Sequence, residues 1–349
     1  MMSYDARRRM ERERIEQFDG LRAFAFFGVF LHHAIKLPLG WVGVDLFFVL
    51  SGFLITRNLF SLGETTSLRR SFAVFYFRRV LRILPPYYVA LAAMLIVQPI
   101  AAGDAAWYFA FISNVHDVAY GQIKGAYSTM WSIAVEEQFY MLWPCLVLLL
   151  PRRALAVCFV TVILAAPLFR YVFTPLGFDA VYALMPSRMD LLASGALLAL
   201  IELHAPDALR VRSTSALLVA ILAVGVFAAI SISVPTFRTN LNLPLFNVVG
   251  FGLTAVFAIS TFVYVRSLER GPLLALLNHP VLQYIGRISY MCYLIHMVAI
   301  AVAKMAGLGR YPTAALALAG TLGFATASYY LLEKPLQRFR GLVPPQRAT

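Results

Sequence analysis

Apolar stretches close to twenty residues long recur from end to end of this 349-residue chain, and few folds can house them. Twenty residues of α-helix rise about 30 Å, the hydrocarbon thickness of a bilayer. We read ten such stretches, at roughly 20–36, 41–60, 83–100, 130–150, 154–173, 184–204, 214–234, 244–265, 281–304 and 313–331. Several end at Pro or Gly clusters, among them Pro38-Leu39-Gly40, Pro175-Leu176-Gly177 and Gly271-Pro272. The segment 105–115, AAWYFAFISNV, is apolar but too short to cross, and is expected to be an interfacial or re-entrant piece. The expected fold is an all-α polytopic membrane protein.

Composition agrees. The chain is 60% hydrophobic and 13% charged, where a soluble protein carries about 25% charged residues. A net charge of +13 would suit a nucleic-acid partner if it formed one patch, so its placement decides its meaning. With the N-terminus in the cytoplasm, the cytoplasmic segments hold Arg7, Arg8, Arg9, Arg12, Arg14, Arg69, Arg70, Arg78, Arg79, Arg82, Arg152, Arg153, Arg210, Arg212, Arg266, Arg270, Lys334, Arg338, Arg340 and Arg347. These are 20 of the 30 Lys and Arg residues. The opposite face holds Lys36, Lys124, Arg238 and Arg310. This is the positive-inside bias. It requires an even number of spans with both termini cytoplasmic, and counting 105–115 as a span would destroy it. The charge is topology, and no nucleic-acid partner is expected.

The organisation follows: a basic cytoplasmic segment over 1–19, a transmembrane domain over 20–332, and a cytoplasmic tail over 333–349. The basic N-terminus before an apolar run resembles a signal peptide, but Arg22, His32 and His33 interrupt the run and no small-residue cleavage site follows. An uncleaved first helix is expected. Cys145, Cys158 and Cys292 lie in spans without metal-like spacing and read as small apolar packers. No metal is expected.

Ionisable residues inside spans are costly and usually functional, so their depth matters. His33 precedes the Pro38 break by a few residues and Asp45 follows it by a similar number. A hairpin would bring both to one level, where the carboxylate can orient the imidazole. Glu136 and Glu137 lie about two turns into the fourth span from the outside, Arg188 and Asp190 about one turn into the sixth, and His296 on the outer half of the ninth. Each alone is equally a satisfied structural group; five spans sharing one layer point to a site. Toward the cytoplasm, Arg22 opens the first span about 16 Å below His33, Arg57 closes the second, and Arg78, Arg79 and Arg82 stand where the third enters. These arginines either anchor topology and lipid headgroups or bind a phosphorylated ligand. A histidine with carboxylates can act as general base on a sugar hydroxyl or carry an acyl group.

These stretches, FDGLRAFAFFGVFLHH, GWVGVDLFFVLSGFLIT, FRRVLRILPPYY, TMWSIAVEEQFYMLWP, RMDLLASG and ISYMCYLIH followed by YYLLEKPL, stand in the order typical of the acyltransferase 3 family, which the chain resembles from about residue 17 to 340. The family's Arg and His, with ten residues between them in the first span, match Arg22 and His33, with His32 off by one. The resemblance implies that His33 is essential for acyl transfer with Arg22 in the same unit. It also implies a cytoplasmic acyl-CoA donor, usually acetyl-CoA, and no permanently bound cofactor. The acceptor it implies is a carbohydrate or glycosylated small molecule on the far side. The Arg-Arg-x-x-Arg of 78 to 82 and the Glu-Glu-Gln-Phe-Tyr of 136 to 140 carry over as site residues. The chain stops about fifteen residues after its last span motif, so the stand-alone form is expected, without the fused extracytoplasmic hydrolase-like domain some members carry; a separate extracytoplasmic enzyme can then complete the transfer. A multi-span transporter or flippase of a lipid-linked saccharide is the alternative. It lacks a reason for the cytoplasmic arginines and shows no visible inverted repeat. A membrane scaffold gives no reason for the ionisable layer.

Overall fold

The computed structural model describes residues 15–209, 213–234, 236–239 and 243–343. Arg7, Arg8, Arg9, Arg12, Arg14, Arg210, Arg212 and Arg347, and with them most of the expected N-terminal segment, lie outside the described residues. Backbone polar groups in lipid must bond within the protein, which a helix does locally. Among the described residues there are helices and turns and no strand.

The elements that matter are α1 (Gln17–Ile35), α2 (Gly43–Thr65), α3 (Leu68–Val97), α4 (Ala102–Phe109), α5 (Ser113–Tyr120), α6 (Met130–Leu149), α7 (Arg152–Phe173), α8 (Phe178–Ala183), α9 (Met185–His204), α10 (Ser213–Ser233), α11 (Phe251–Ser267), α12 (Pro280–Lys304) and α13 (Arg310–Ser328). Among the described residues nine helical stretches are long and apolar enough to cross a membrane. The remaining expected span is α1, 19 residues long, whose Asp19, Arg22, His32 and His33 lower its hydropathy. It packs between α12 and α2 in the interior of the bundle. The chain is a multi-pass membrane protein.

Two expectations are corrected. The third span begins at Leu68 rather than near residue 83, and runs 30 residues. Residues 68–82 contain no Gly or Pro, and their alternation of arginines with Phe, Val and Leu is an amphipathic helix that a search for uniformly apolar runs passes over. Arg78, Arg79 and Arg82 therefore sit inside a helix, not at its start. The expected long loop over 101–129 contains α4 and α5, joined through Phe111 at φ 57°; neither, at eight residues, can cross.

Glycine fixes the central packing. A Cβ at Gly195 of α9 would stand 2.1 Å from the Val49 carbonyl oxygen, and one at Gly52 of α2 would stand 2.0 Å from that of Leu192. Backbones this close are the small-residue contacts that hold membrane helices where no hydrophobic driving force separates protein from lipid. On α12, a Cβ at Gly286 would lie 1.8 Å from the carbonyl oxygen of Asp19, which locks α1 beside α12. Gly225, on α10, meets nothing within 4 Å. Gly195→Val should lower the melting temperature of detergent-solubilised protein sharply, since overpacking costs about 1–3 kcal/mol even where side chains can yield. Gly225→Val should leave it near wild type in the same thermal-shift measurement.

Candidate active site

A cavity of about 480 Å³ opens inside the bundle, lined by α1, α2, α3, α6 and α12 and by one residue of the C-terminal turn. Its lining follows α2 from Val44 to Ser61, a rise of about 25 Å. Six arginines line it, Arg22, Arg57, Arg78, Arg79, Arg82 and Arg340, against two carboxylates, Asp19 and Glu136. The cavity is thus a strongly positive channel through a low-dielectric interior.

Its middle is organised by α6. Ser132, Glu136 and Tyr140 recur every four residues and so share one helix face, and all three line the cavity. Ser51 Oγ donates to Glu136 Oε1 at 2.6 Å, and the Tyr140 hydroxyl donates to Ser51 Oγ at 3.3 Å. Arg79 places its guanidinium 4.8 Å from the centre of the Tyr140 ring, a cation–π contact. Arg22 donates to Asp19 Oδ1 at 3.3 Å. Glu137, one residue round the helix, does not line the cavity.

At its other end the cavity reaches Phe47, Ser132 and Tyr293. The Tyr293 hydroxyl and Ser132 Oγ are 2.6 Å apart, and the Phe47 and Tyr293 rings meet edge to face at 6.0 Å. Behind that pair lie two histidines that do not line the cavity. His296 is fully buried, with its ring 5.6 Å from that of Tyr293 and 5.3 Å from that of His33. His33 Nδ1 lies 3.0 Å from the Val29 carbonyl oxygen and His296 Nδ1 lies 2.7 Å from that of Tyr293. A carbonyl oxygen only accepts, so in neutral rings both Nδ1 atoms carry the proton and both Nε2 atoms keep a lone pair. His296 Nε2, 3.5 Å from His33 Nδ1, accepts from that shared proton. The outcome is a His33 ring with a fixed tautomer whose Nε2 keeps its lone pair. His32 turns away, with Nδ1 3.0 Å from the Leu37 carbonyl oxygen.

The expected single polar layer divides into separate groups. Asp45 does not meet His33; it is fully buried and ion-paired with Arg188. Equal depth did not mean contact, because Asp45 sits on the face of α2 that packs against α9 rather than on the face toward α1. Arg188 is enclosed by the rings of Phe48, Trp131, Tyr182 and Phe251, at 4.9 to 6.0 Å. Asp190 pairs with Arg170 of α7 at 2.8 Å, and Arg170 also donates to the Ser187 carbonyl at 2.5 Å. These four charges tie α2, α7 and α9 together and line no part of the cavity. Glu136, expected near the outer layer, instead faces the arginines. Ser51, Tyr140, Ser132, Tyr293 and Arg340 line the cavity unforeseen. The four-residue spacings of Ser132, Glu136 and Tyr140, and of Ser289 and Tyr293, were the available signal.

Residues 15–333 match the model of the acyltransferase domain family. The chain belongs to that family and carries its acyltransferase domain over most of its length. It is 35% identical over 160 residues to the peptidoglycan O-acetyltransferase OatA of Listeria monocytogenes, covering 40% of this chain and 25% of that protein. A Bacillus subtilis protein, YrhL, provisionally assigned as a peptidoglycan O-acetyltransferase, is 36% identical over 37% of this chain and 23% of its own length. A Staphylococcus aureus (strain COL) protein provisionally assigned as an O-acetyltransferase is 27% identical over 93% of this chain and 57% of its own length. The chain thus spans between about a quarter and somewhat over half of these curated relatives. No solved structure matches it.

The buried pair allows a direct test of its structural role. Arg188→Met leaves Asp45 buried without its partner and should cost about 3–5 kcal/mol of stability. The double change Asp45→Leu with Arg188→Met removes both charges and should recover most of that loss in thermal unfolding of the solubilised protein.

Proposed function

We propose that this protein moves an acyl group, most simply acetyl, from cytoplasmic acyl-CoA to a hydroxyl of a carbohydrate acceptor on the far side of the membrane. The observation that carries this reading is the cavity: arginines crowd one end, and the other end reaches Tyr293, whose ring contacts His296, the neighbour of His33. A phosphorylated nucleotide suits the first end and a thioester at the tip of a long, slender arm suits the second. In this reading the arginine end faces the cytoplasm of a bacterial cell, and the charge bias of the loops supports that orientation. The names of OatA and YrhL make a cell-envelope glycan such as peptidoglycan the first acceptor class to try.

The residues then divide the work. Arg22, Arg57, Arg78, Arg79 and Arg82 hold the phosphates of the donor, guanidinium being the side chain best shaped for them. Glu136, through Ser51 and Tyr140, keeps Arg79 in the cavity. The thioester comes to His33 at the end of the cavity marked by Tyr293 and His296. His33 Nε2 takes the proton from the acceptor hydroxyl as its oxygen attacks the thioester carbon; the C–S bond breaks, the acetate ester forms, and the proton goes to the CoA thiolate. The same lone pair serves if acetyl rests first on His33. His296 is a positioning residue that fixes the ring.

His33→Ala should reduce transfer of radiolabelled acetyl to membrane glycan by about 10²–10⁴-fold, the usual worth of a general base, while acetyl-CoA still binds the purified protein. Wild-type transfer by that variant would end the reading. Arg22→Gln should weaken acetyl-CoA binding about tenfold or more, as for a lost charge-assisted hydrogen bond, measured by competition with labelled acetyl-CoA. A saccharide transporter with this fold would bind no acetyl-CoA at all.

A further inference from the structure

The last turn of the described chain returns to the mouth of the cavity. After α13 come a π-helical turn (Tyr329–Glu333), a short helix (Lys334–Gln337) and a 3-10 turn (Arg338–Leu342), all packed on α3. The docking places Arg340 in the cavity lining beside Arg78 and Arg82. The buried Nε atoms of Arg340 and Arg78 have no hydrogen-bond partner, and among the described residues none of these three arginines is ion-paired with a carboxylate. Glu333, the acid of the same turn, accepts from Ser328 at 3.3 Å.

We propose that Arg340, with Arg78, recognises the phosphomonoester at the nucleotide end of acyl-CoA, so that the C-terminal turn selects donors carrying the 3′-phosphate. The inference rests on the acyl-CoA reading above and adds a specificity determinant to it. Depth supports it. Arg22 faces Arg82 from within the first span, whereas Arg340 faces Arg82 and Arg78 from the turn that follows the last span. A donor entering thioester first leaves its nucleotide end last, at the level of Arg340. Charge supports it as well. A diphosphate diester carries two negative charges and a phosphomonoester about 1.5 to 2 more at pH 7, and the lining has an excess of four arginines over its carboxylates. Without the monoester, about half of that excess has no counterpart. A guanidinium delivered by a separate, late segment of the chain is what allows the mouth to test for the extra phosphate after the shared diphosphate has been bound.

The test compares acetyl-CoA with acetyl-3′-dephospho-CoA as competitors of labelled acetyl-CoA on the full chain in detergent. Wild-type protein is expected to prefer acetyl-CoA by about tenfold to a hundredfold, the range for a charge-assisted contact. Arg340→Gln is expected to lose most of that preference. Arg22→Gln is expected to weaken both thioesters together and keep it. On wild-type protein, independent of any variant, acetyl-CoA should protect Arg340 from modification by phenylglyoxal, read by mass spectrometry, and acetyl-3′-dephospho-CoA should not. Equal wild-type affinity for the two thioesters overturns the proposal, as does an Arg340→Gln protein with unchanged preference or equal protection by both; in each case the donor reading stands. A wild type that binds neither thioester overturns both.

Discussion

Repulsion between guanidinium groups inside a membrane protein is the constraint that organises this molecule. Two unit charges 4 Å apart interact with about 4 kcal/mol at an effective dielectric constant of 20, against about 1 in water. The bundle nevertheless turns six arginines into one cavity with two carboxylates. Part of the repulsion is offset locally: Arg79 lies on the Tyr140 and Phe75 rings, and Arg22 is joined to Asp19. The remainder is directed at whatever enters. The field of such a cavity disfavours cations and favours a polyanion. The family's acyl chemistry and the electrostatics therefore converge without either being assumed from the other.

The second set of intramembrane charges obeys a different logic. Arg188 with Asp45, and Arg170 with Asp190, are paired one to one, buried, and enclosed by aromatic rings. They leave no excess charge and open on no cavity. A buried pair of this kind is poor evidence for stability but strongly penalises any arrangement that separates its members, and here the members come from α2, α7 and α9. The pairs thus specify which helices meet, while the tight contact of Gly52 with Leu192 and of Gly195 with Val49 sets how closely. Together they hold α2 rigid, and α2 is the helix along which the cavity runs.

How much of this was legible in the sequence depended on periodicity. Span number, the short segment near 105–115, and the separation of Arg22 from His33 along one helix followed from hydropathy and the helical rise. Contacts between helices did not. Depth in the membrane can be counted from a span boundary, but the rotation of a helix about its axis cannot, and rotation is what sent Asp45 to Arg188 and Glu136 to the arginines. His33 and His296 met because both were near the outer ends of spans that pack together through Gly286. Amphipathic patterning had more to give: the arginines at 78, 79 and 82 recur at three and four residues, as do Ser132, Glu136 and Tyr140. Those intervals mark the faces that line the cavity. Arg340 carried no such signal, because its position depends on how the final turns dock on α3.

The separation of His33 from the cavity has a chemical consequence. On the proposed reading, a thioester and the His33 imidazole in one open channel would expose the activated acyl group to water, which competes with any hydroxyl acceptor. Excluding water until both substrates are in place prevents that side reaction and strengthens the electrostatics of the step. Tyr293, which lines the cavity, and His296 behind it stand between the cavity and His33, and the Tyr293 hydroxyl is held by Ser132 at 2.6 Å. Ser132 lies on the same face of α6 as Glu136 and Tyr140, which face the arginines. On the proposed reading, α6 therefore presents Glu136 and Tyr140 to the charge of the donor and Ser132 to Tyr293, beside His296.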